Sequence, residues 1–399
     1  MKRVLLPVLL LLALTLTACQ SAVPMGQDPY AFAALGRAKA PRTPDKTVAV
    51  WVSYLDYKPM LTGKTEQQFR DACEQMLDNM APLSVNTVYF QVRPFSDSLY
   101  PSAFFPRSAF APGSGSEFAF DPLAVLLELA GARNIAVWAW INPYRITSGS
   151  YGDAGFLAQW EKEGAVLVSG ALKMLDPANE QAVSLIAEGA GEVCRNYAVE
   201  GVIFDDYFYP ADRKADAESY ARYTSGGGTL PQAAWRCENV AEMVRAVSAN
   251  VRAAGKLFAI SPAGSIPRNR DSYGLDIEAL CREGLLDAVS PQIYYGYQNQ
   301  AMPYESTLKS WLELCEQTQT PCVVSLAAYK SGRYDTYAGA GSGEWQTSFD
   351  ILARQYKDAA AEAGCAGIAL FRYGSLFGDD EAIGAFAVLE RENLKEALG

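Results

Sequence analysis

The chain contains no histidine among its 399 residues. That absence excludes Ser-His-Asp and Cys-His nucleophilic devices. It also excludes histidine-ligated zinc, copper and non-haem iron. Acid-base chemistry must fall to Asp, Glu, Lys, Tyr or Cys. Basic charge is scarce as well. Lys and Arg number 34 against 45 Asp and Glu, a net charge of −11. No Lys/Arg cluster supplies the basic stripe of a nucleic-acid partner. No Cys-x-x-Cys pair occurs, which disfavours a zinc knuckle or a thioredoxin-like site. No metal motif is present and no cofactor is expected.

Apolar residues make up half of the chain, and Tyr occurs 22 times. An acidic, Tyr-rich surface suits neutral, ring-shaped ligands better than phosphates. Lys2 and Arg3 precede an apolar stretch over 5–16 that is short for a bilayer span. Leu16-Thr-Ala-Cys19 follows and resembles a bacterial lipobox. The expectation is a signal peptide over 1–18 and lipidation of Cys19. Acyl chains there would anchor the protein outside the cytoplasm, and they are its only membrane contact. Residues 19–46, with Pro24, Pro29, Pro41 and Pro44, read as a tether, and 47–399 as the folded domain. Seven further cysteines remain, and Cys73, Cys194, Cys237, Cys281 and Cys315 fall in helical patterns. They read as core thiols, with a Cys315–Cys322 bridge left open.

From residue 47 onward, short β-branched or aromatic runs alternate with helical patterns. Strands are expected at 48–53, 86–93, 135–142, 201–205, 257–261, 288–294, 322–326 and 367–371. Helices are expected at 66–80, 122–133, 180–197, 231–254, 277–283, 305–317, 345–363 and 380–398. Eight strand-helix units predict an α/β fold, a (β/α)8 TIM barrel with enlarged βα loops. Strands without polar alternation fit a parallel sheet buried on both faces. A doubly wound sheet is the alternative, but no Gly-rich phosphate fingerprint follows the first strand.

A barrel carries its site at the C-terminal ends of its strands. There the sequence turns polar: Tyr54 and Asp56, Gln91 and Arg93, Asn142 with Tyr144 and Arg145, Asp205-Asp206-Tyr207, Ser261, Gln292 with Tyr294 and Tyr295, Tyr329 and Lys330, then Arg372 and Tyr373. Tyrosines offer flat faces to sugar rings, and Arg, Asn and Gln offer forked hydrogen bonds. Asp205-Asp206 is the sharpest feature. Two close carboxylates push one pKa up, giving one acid and one base near neutrality. Glycoside cleavage needs such a pair. Strand alternation would turn only one of them into the cleft. The plainer reading is a rim Asp capping the next loop beside Arg93 or Arg145.

Several motifs together resemble the family 10 glycosyl-hydrolase-like bacterial lipoproteins. They are Gln91-Val-Arg-Pro94, Leu99-Tyr-Pro-Ser102, Asp121-Pro-Leu123 and Ala139-Trp-Ile-Asn-Pro-Tyr-Arg145. Gly201-Val-Ile-Phe-Asp-Asp-Tyr-Phe-Tyr-Pro210 and Ser290-Pro-Gln-Ile-Tyr294 complete the set. The resemblance implies a (β/α)8 barrel that hydrolyses glycan strands of peptidoglycan. It departs from the family at Val202-Ile203 and Trp138-Ala139, where relatives commonly carry histidine, and at Phe105-Pro-Arg107. A related barrel family keeps only the first Asp of such a pair, which favours Asp205 as essential.

The expected function is therefore a surface-anchored glycoside hydrolase using Asp205 and Asp206 as catalytic acids. Gln91, Arg93, Asn142, Tyr144, Arg145, Tyr207, Gln292, Tyr294, Tyr295 and Arg372 are the candidate sugar contacts. No Glu at another strand end completes a conventional pair, although Asp56, Asp97 or Asp212 could. An acetamido sugar would permit a substrate-assisted route. The expected partner is a glycan, with no nucleic acid. The alternative is a non-catalytic glycan-binding lipoprotein on the same barrel. A serine hydrolase built on Ser306-Thr-Leu-Lys309 is a weaker third idea, because that run falls in an amphipathic helix.

Overall fold

The computed structural model describes residues 46–399 apart from 153, 154, 156 and 379–383. The expected signal peptide, Cys19 and all of the tether but Lys46 lie outside the described residues. Eight parallel strands form a closed barrel: β1 (Thr47–Val52), β2 (Thr87–Arg93), β3 (Ala136–Ile141), β4 (Gly201–Phe204), β5 (Leu257–Ile260), β6 (Ala288–Val289), β7 (Cys322–Leu326) and β8 (Cys365–Leu370). Each strand pairs with its neighbours in sequence, and β8 closes onto β1. The chain is thus a (β/α)8 barrel.

The outer ring is α1 (Glu66–Met80), α2 (Pro122–Ala132), α3 (Glu180–Asn196), α4 (Gln232–Ala253), α5 (Ile277–Arg282), α6 (Tyr304–Thr318), α7 (Ile351–Ala361) and α8 (Gly384–Leu398). Local chemistry sets the starts. Thr65 and Gln68 form a capping box at α1. Asp121 Oδ1 caps α2 through the amides of Leu123 and Ala124, with Pro122 in the first turn. Its other oxygen accepts from the Tyr197 hydroxyl at 2.5 Å. The Asp121-Pro-Leu123 motif is thus a helix start rather than a site.

Two expected elements are shorter than the sequence pattern. β6 covers two residues, because Pro291 has no N–H for the ladder. Gln292 keeps only isolated bridges to Ala263 and Ser325. The helix expected over 345–363 divides into Glu344–Thr347 and α7. Glu390 of α8 accepts the amides of Ile351 and Leu352 at 3.1 and 3.0 Å and so caps α7 from outside. The remaining cysteines stand as free thiols, Cys315 and Cys322 included.

Inward-facing residues fill the barrel with a separate core of Ala49, Trp51, Tyr89, Trp140, Ile203 and Val323, among others. The Trp51 ring meets Tyr89 at 4.6 Å and Trp140 at 4.9 Å, both edge to face. This layer is the floor of the C-terminal mouth. Gly201 is required beneath it, since a Cβ there would stand 2.7 Å from Trp138 and 2.2 Å from a backbone oxygen. Ile203 and Trp138 belong to this interior, whereas Val202 and Ala139 pack outward. At Ile203 and Trp138 the barrel is therefore apolar inside.

Candidate functional site

Above the aromatic floor lies a cavity of about 270 Å3. Asp205 and Asp206 line it together with Ser261 and Gln292, and they are its only acids among the described residues. Aromatic rings make up the rest of the wall: Trp51, Trp140, Tyr207, Tyr294, Tyr329 and Phe371. Alternation does not separate the two Asp residues, because β4 stops at Phe204 and the pair stands beyond the ladder.

Asp205 faces inward in phase with Ile203, at the end of β4, and is 4% exposed. Its Oδ2 accepts the Trp140 indole N–H at 3.0 Å and also the Asn142 amide. Its Oδ1 is buried without a hydrogen-bond partner. Burial lifts the Asp205 carboxyl to about 7, Arg145 pulls against that shift, and the Asp206 charge adds to it. Asp205 is therefore poised to hold a proton near neutrality, with Oδ2 tethered and the residue lining the cavity. Asp206 is half-buried. Burial raises its carboxyl, and a hydrogen bond from the Gln292 side chain opposes the rise. Gln292 Nε2 also donates to the Ser261 carbonyl at 3.1 Å.

Behind Asp205 runs a buried amide network. Asn142, fully buried, accepts at Oδ1 from Gln91 Nε2 at 2.6 Å and from Arg145 Nη2 at 2.5 Å. Gln91 in turn accepts the Tyr54 amide at 3.0 Å. Arg145 donates to the Pro94 carbonyl at 2.9 Å and stacks between Phe95 and Tyr207. Gln91, Asn142 and Arg145, expected as sugar contacts, are buried in this network, where Asn142 meets Asp205 and the other two meet Asn142.

The candidate contacts thus divide. Tyr207, Gln292 and Tyr294 line the cavity with the two acids. Arg93 does not. It is 1% exposed, lies over the Phe105 ring at 3.7 Å and donates to the Tyr100 hydroxyl at 2.9 Å. A ladder irregularity between Gln91 and Arg93 breaks the alternation that would have kept both inward. Tyr144 is fully buried against Phe208. Tyr295 packs on Gly264 beside the cavity. Arg372 is paired with Asp56, which also accepts the Ser53 and Gly374 amides at 2.8 Å. That pair ties the β1 loop to the β8 loop. Asp97 lies in a different cavity, and Asp212 caps an exposed turn at Lys214. The Ser306-Lys309 run sits on α6, where Ser306 bonds the Pro303 carbonyl and Lys309 reaches for Glu313. It is no nucleophile–base pair.

Trp51, Trp140 and Phe371 were missed as site residues. An inward aromatic reads as core, and here it is both core and cavity wall. The signal that was available is phase: Trp140 precedes Asn142, the residue just past the end of the same strand, by two.

Comparison with known proteins agrees with this architecture. The chain is 30% identical to the glycosyl hydrolase DigH of Escherichia coli strain K12 over 369 residues, covering 82% of this chain and 83% of that protein. It is 28% identical to the glycosyl hydrolase YngK of Bacillus subtilis strain 168, covering 71% of this chain and 60% of that protein. The fold matches the PgaB (BpsB) glycoside hydrolase domain of Bordetella bronchiseptica with a TM-score of 0.55 at 16% identity, covering 87% of this chain and 99% of that one. It also matches an endo-1,4-beta-mannanase of Rhizomucor miehei with a TM-score of 0.55 at 10% identity, covering 90% and 98%. The family model described as glycosyl hydrolase-like 10 matches residues 46–336, and the chain belongs to that family.

Proposed function

We propose that the protein is a glycoside hydrolase acting on an amino-sugar glycan, namely the glycan strands of peptidoglycan. We further propose that Cys19 anchors it by lipid outside the cytoplasm, as the lipobox-like Leu16-Thr-Ala-Cys19 suggests. The observation that carries the catalytic reading is the Asp205 carboxyl. Oδ2 is fixed by Trp140 and Asn142, Oδ1 is buried, the residue lines the cavity, and burial lifts the carboxyl to about 7.

In this reading Asp205 gives its proton to the glycosidic oxygen as the C1–O bond breaks. Asp206, held by Gln292, orients the acetamido group whose carbonyl oxygen takes the place of a protein nucleophile at C1. Water then opens the cyclic intermediate and returns a proton to Asp205. Tyr207, Tyr294 and Tyr329 supply ring faces for the sugar. This route explains why no third acid is needed at the cavity.

The test is mass spectrometry of products released from defined peptidoglycan oligosaccharides by wild type, Asp205→Asn and Asp206→Asn. Asp205→Asn should lose about a thousandfold or more in rate. Cleavage by that variant at the wild-type rate overturns the assignment. Binding by wild type without products favours a non-catalytic glycan-binding protein on the same barrel.

A further inference from the structure

A second and larger cavity, about 600 Å3, opens among the loops that follow β1, β2 and β3. Its walls include Lys58, Phe95, Asp97, Arg107, Phe110 and Tyr151. Tyr54 binds these rings together: it lies 5.1 Å from Phe95, 5.5 Å from Phe110 in a stacked pair, and 5.2 Å from Tyr151. Phe95 and Tyr151 stack at 6.1 Å. Phe95 and Phe110 are buried within this cluster, and Tyr151 is the partly exposed ring of the lining, suited to a sugar face.

The charge of this cavity runs against that of the chain. Lys58 is exposed, with its ammonium 5.3 Å from the Tyr151 ring and 5.9 Å from the Phe110 ring. It makes no ion pair or hydrogen bond among the described residues. The Arg107 guanidinium is fixed by three carbonyls, Nε on Gly115 at 3.1 Å and Nη1 on Ser108 and Ala111. Those bonds leave Nη2 uncommitted. Asp97, the one acid in the lining among the described residues, is buried and turned to the Phe95 amide at 3.0 Å and the Ser108 hydroxyl. Two cations therefore line this cavity in a protein of net charge −11.

The cavity also adjoins the Asp205 site. Arg145 stacks on Phe95 at 4.7 Å on one side and on Tyr207 at 4.8 Å on the other. Phe95 belongs to the outer cavity and Tyr207 to the central one. One guanidinium separates them, so a linear glycan crossing Arg145 would seat successive sugars in both.

We propose that the outer cavity is a second subsite, which takes a carboxylate-bearing sugar of the glycan through Lys58 and Arg107. This rests on the reading of the chain as a glycan hydrolase, and it adds an acidic substrate unit to that reading. An ammonium standing over aromatic faces with no counter-ion among the described residues is a ready partner for a carboxylate.

The experiment is calorimetric titration of Asp205→Asn protein with a peptidoglycan tetrasaccharide whose lactyl carboxylates are free, and with its methyl ester. The free acid should bind about tenfold more tightly. Adding Lys58→Met should erase that difference and leave the ester affinity unchanged. Lys58→Arg should retain the difference. The proposal is overturned if Lys58→Met preserves the preference, if it weakens both ligands equally, or if neither ligand binds. Wild-type cleavage is assayed alongside. Absence of products with an intact carboxylate preference sinks the hydrolase reading and not the subsite.

Discussion

Trp140 donates its indole N–H to Oδ2 of Asp205 at 3.0 Å across the β3–β4 pairing. This bond stabilises the charged carboxylate, against burial, which stabilises the acid. The proton affinity of Asp205 is the balance of burial, the Arg145 and Asp206 charges, and this donor. A reaction that needs protonated Asp205 is fully active well below pH 7 and is lost as pH rises through about 7. Trp140→Phe removes the opposing donor, so the alkaline limb should move to higher pH. The pH profile of kcat/KM for the two proteins checks this, and a limb that stays in place refutes the pairing's role.

Asn142 is the centre of the buried network, and its loss strands several groups at once. Asn142→Ala deprives Gln91 Nε2 and Arg145 Nη2 of their acceptor and Asp205 of a donor. Each buried orphan costs about 1–3 kcal/mol. A destabilisation of roughly 3 kcal/mol is expected, read as a shift in the urea midpoint without change in slope. A drop in activity with unaltered stability would instead make Asn142 a substrate contact.

Arg372 separates structure from recognition. It pairs with Asp56, whose side chain is fully buried. Arg372→Met leaves that carboxylate with its amide and hydroxyl donors alone and should cost about 1–3 kcal/mol, reduced by the partial exposure of Arg372. Thermal unfolding should fall by several degrees while KM changes less than twofold. A tenfold rise in KM at unchanged stability would return Arg372 to the sugar contacts.

Glu390 makes stability itself pH-dependent. Burial pushes its carboxyl up to about 7 from an ordinary 4.5, while the Leu352 and Ile351 amides pull it down. The folded chain thus holds this proton more tightly than the unfolded chain. The contribution is fully present below pH 4.5 and declines as pH rises through 7. The difference is on the order of 3 kcal/mol. Glu390→Gln should flatten this part of the profile in urea unfolding between pH 5 and 8. Asp205 adds a slope of the same sign, so some dependence remains in the variant.

The architecture was largely legible in the sequence, since a strand buried on both faces and a capped amphipathic helix each leave a local signature. Asp205 and Asp206 were legible because charge directly after Val-Ile-Phe has few structural explanations. The inward or outward sense of Arg93 was not, because a ladder irregularity one step earlier resets the phase. Tyr144 lies past the end of β3, where alternation gives no guide. The Asp56–Arg372 pair joins residues from the two ends of the domain, and only closure of β8 onto β1 brings them together. The outer cavity gathers rings from two loops, Phe95 and Phe110 after β2 and Tyr151 after β3, where no periodic pattern can be read.

The acid and its two Oδ2 donors stand on or one residue past adjacent strands locked by the register of Trp138 with Gly201 through Ile141 with Phe204. Such a ladder slips only by whole residues, and each slip turns side chains to the other face. The proton on Asp205 is therefore governed by the barrel as a whole rather than by any mobile lid. On heating, the acid should keep its strength up to the temperature at which the barrel opens and lose it there in one step. Inactivation and global melting would then be a single event.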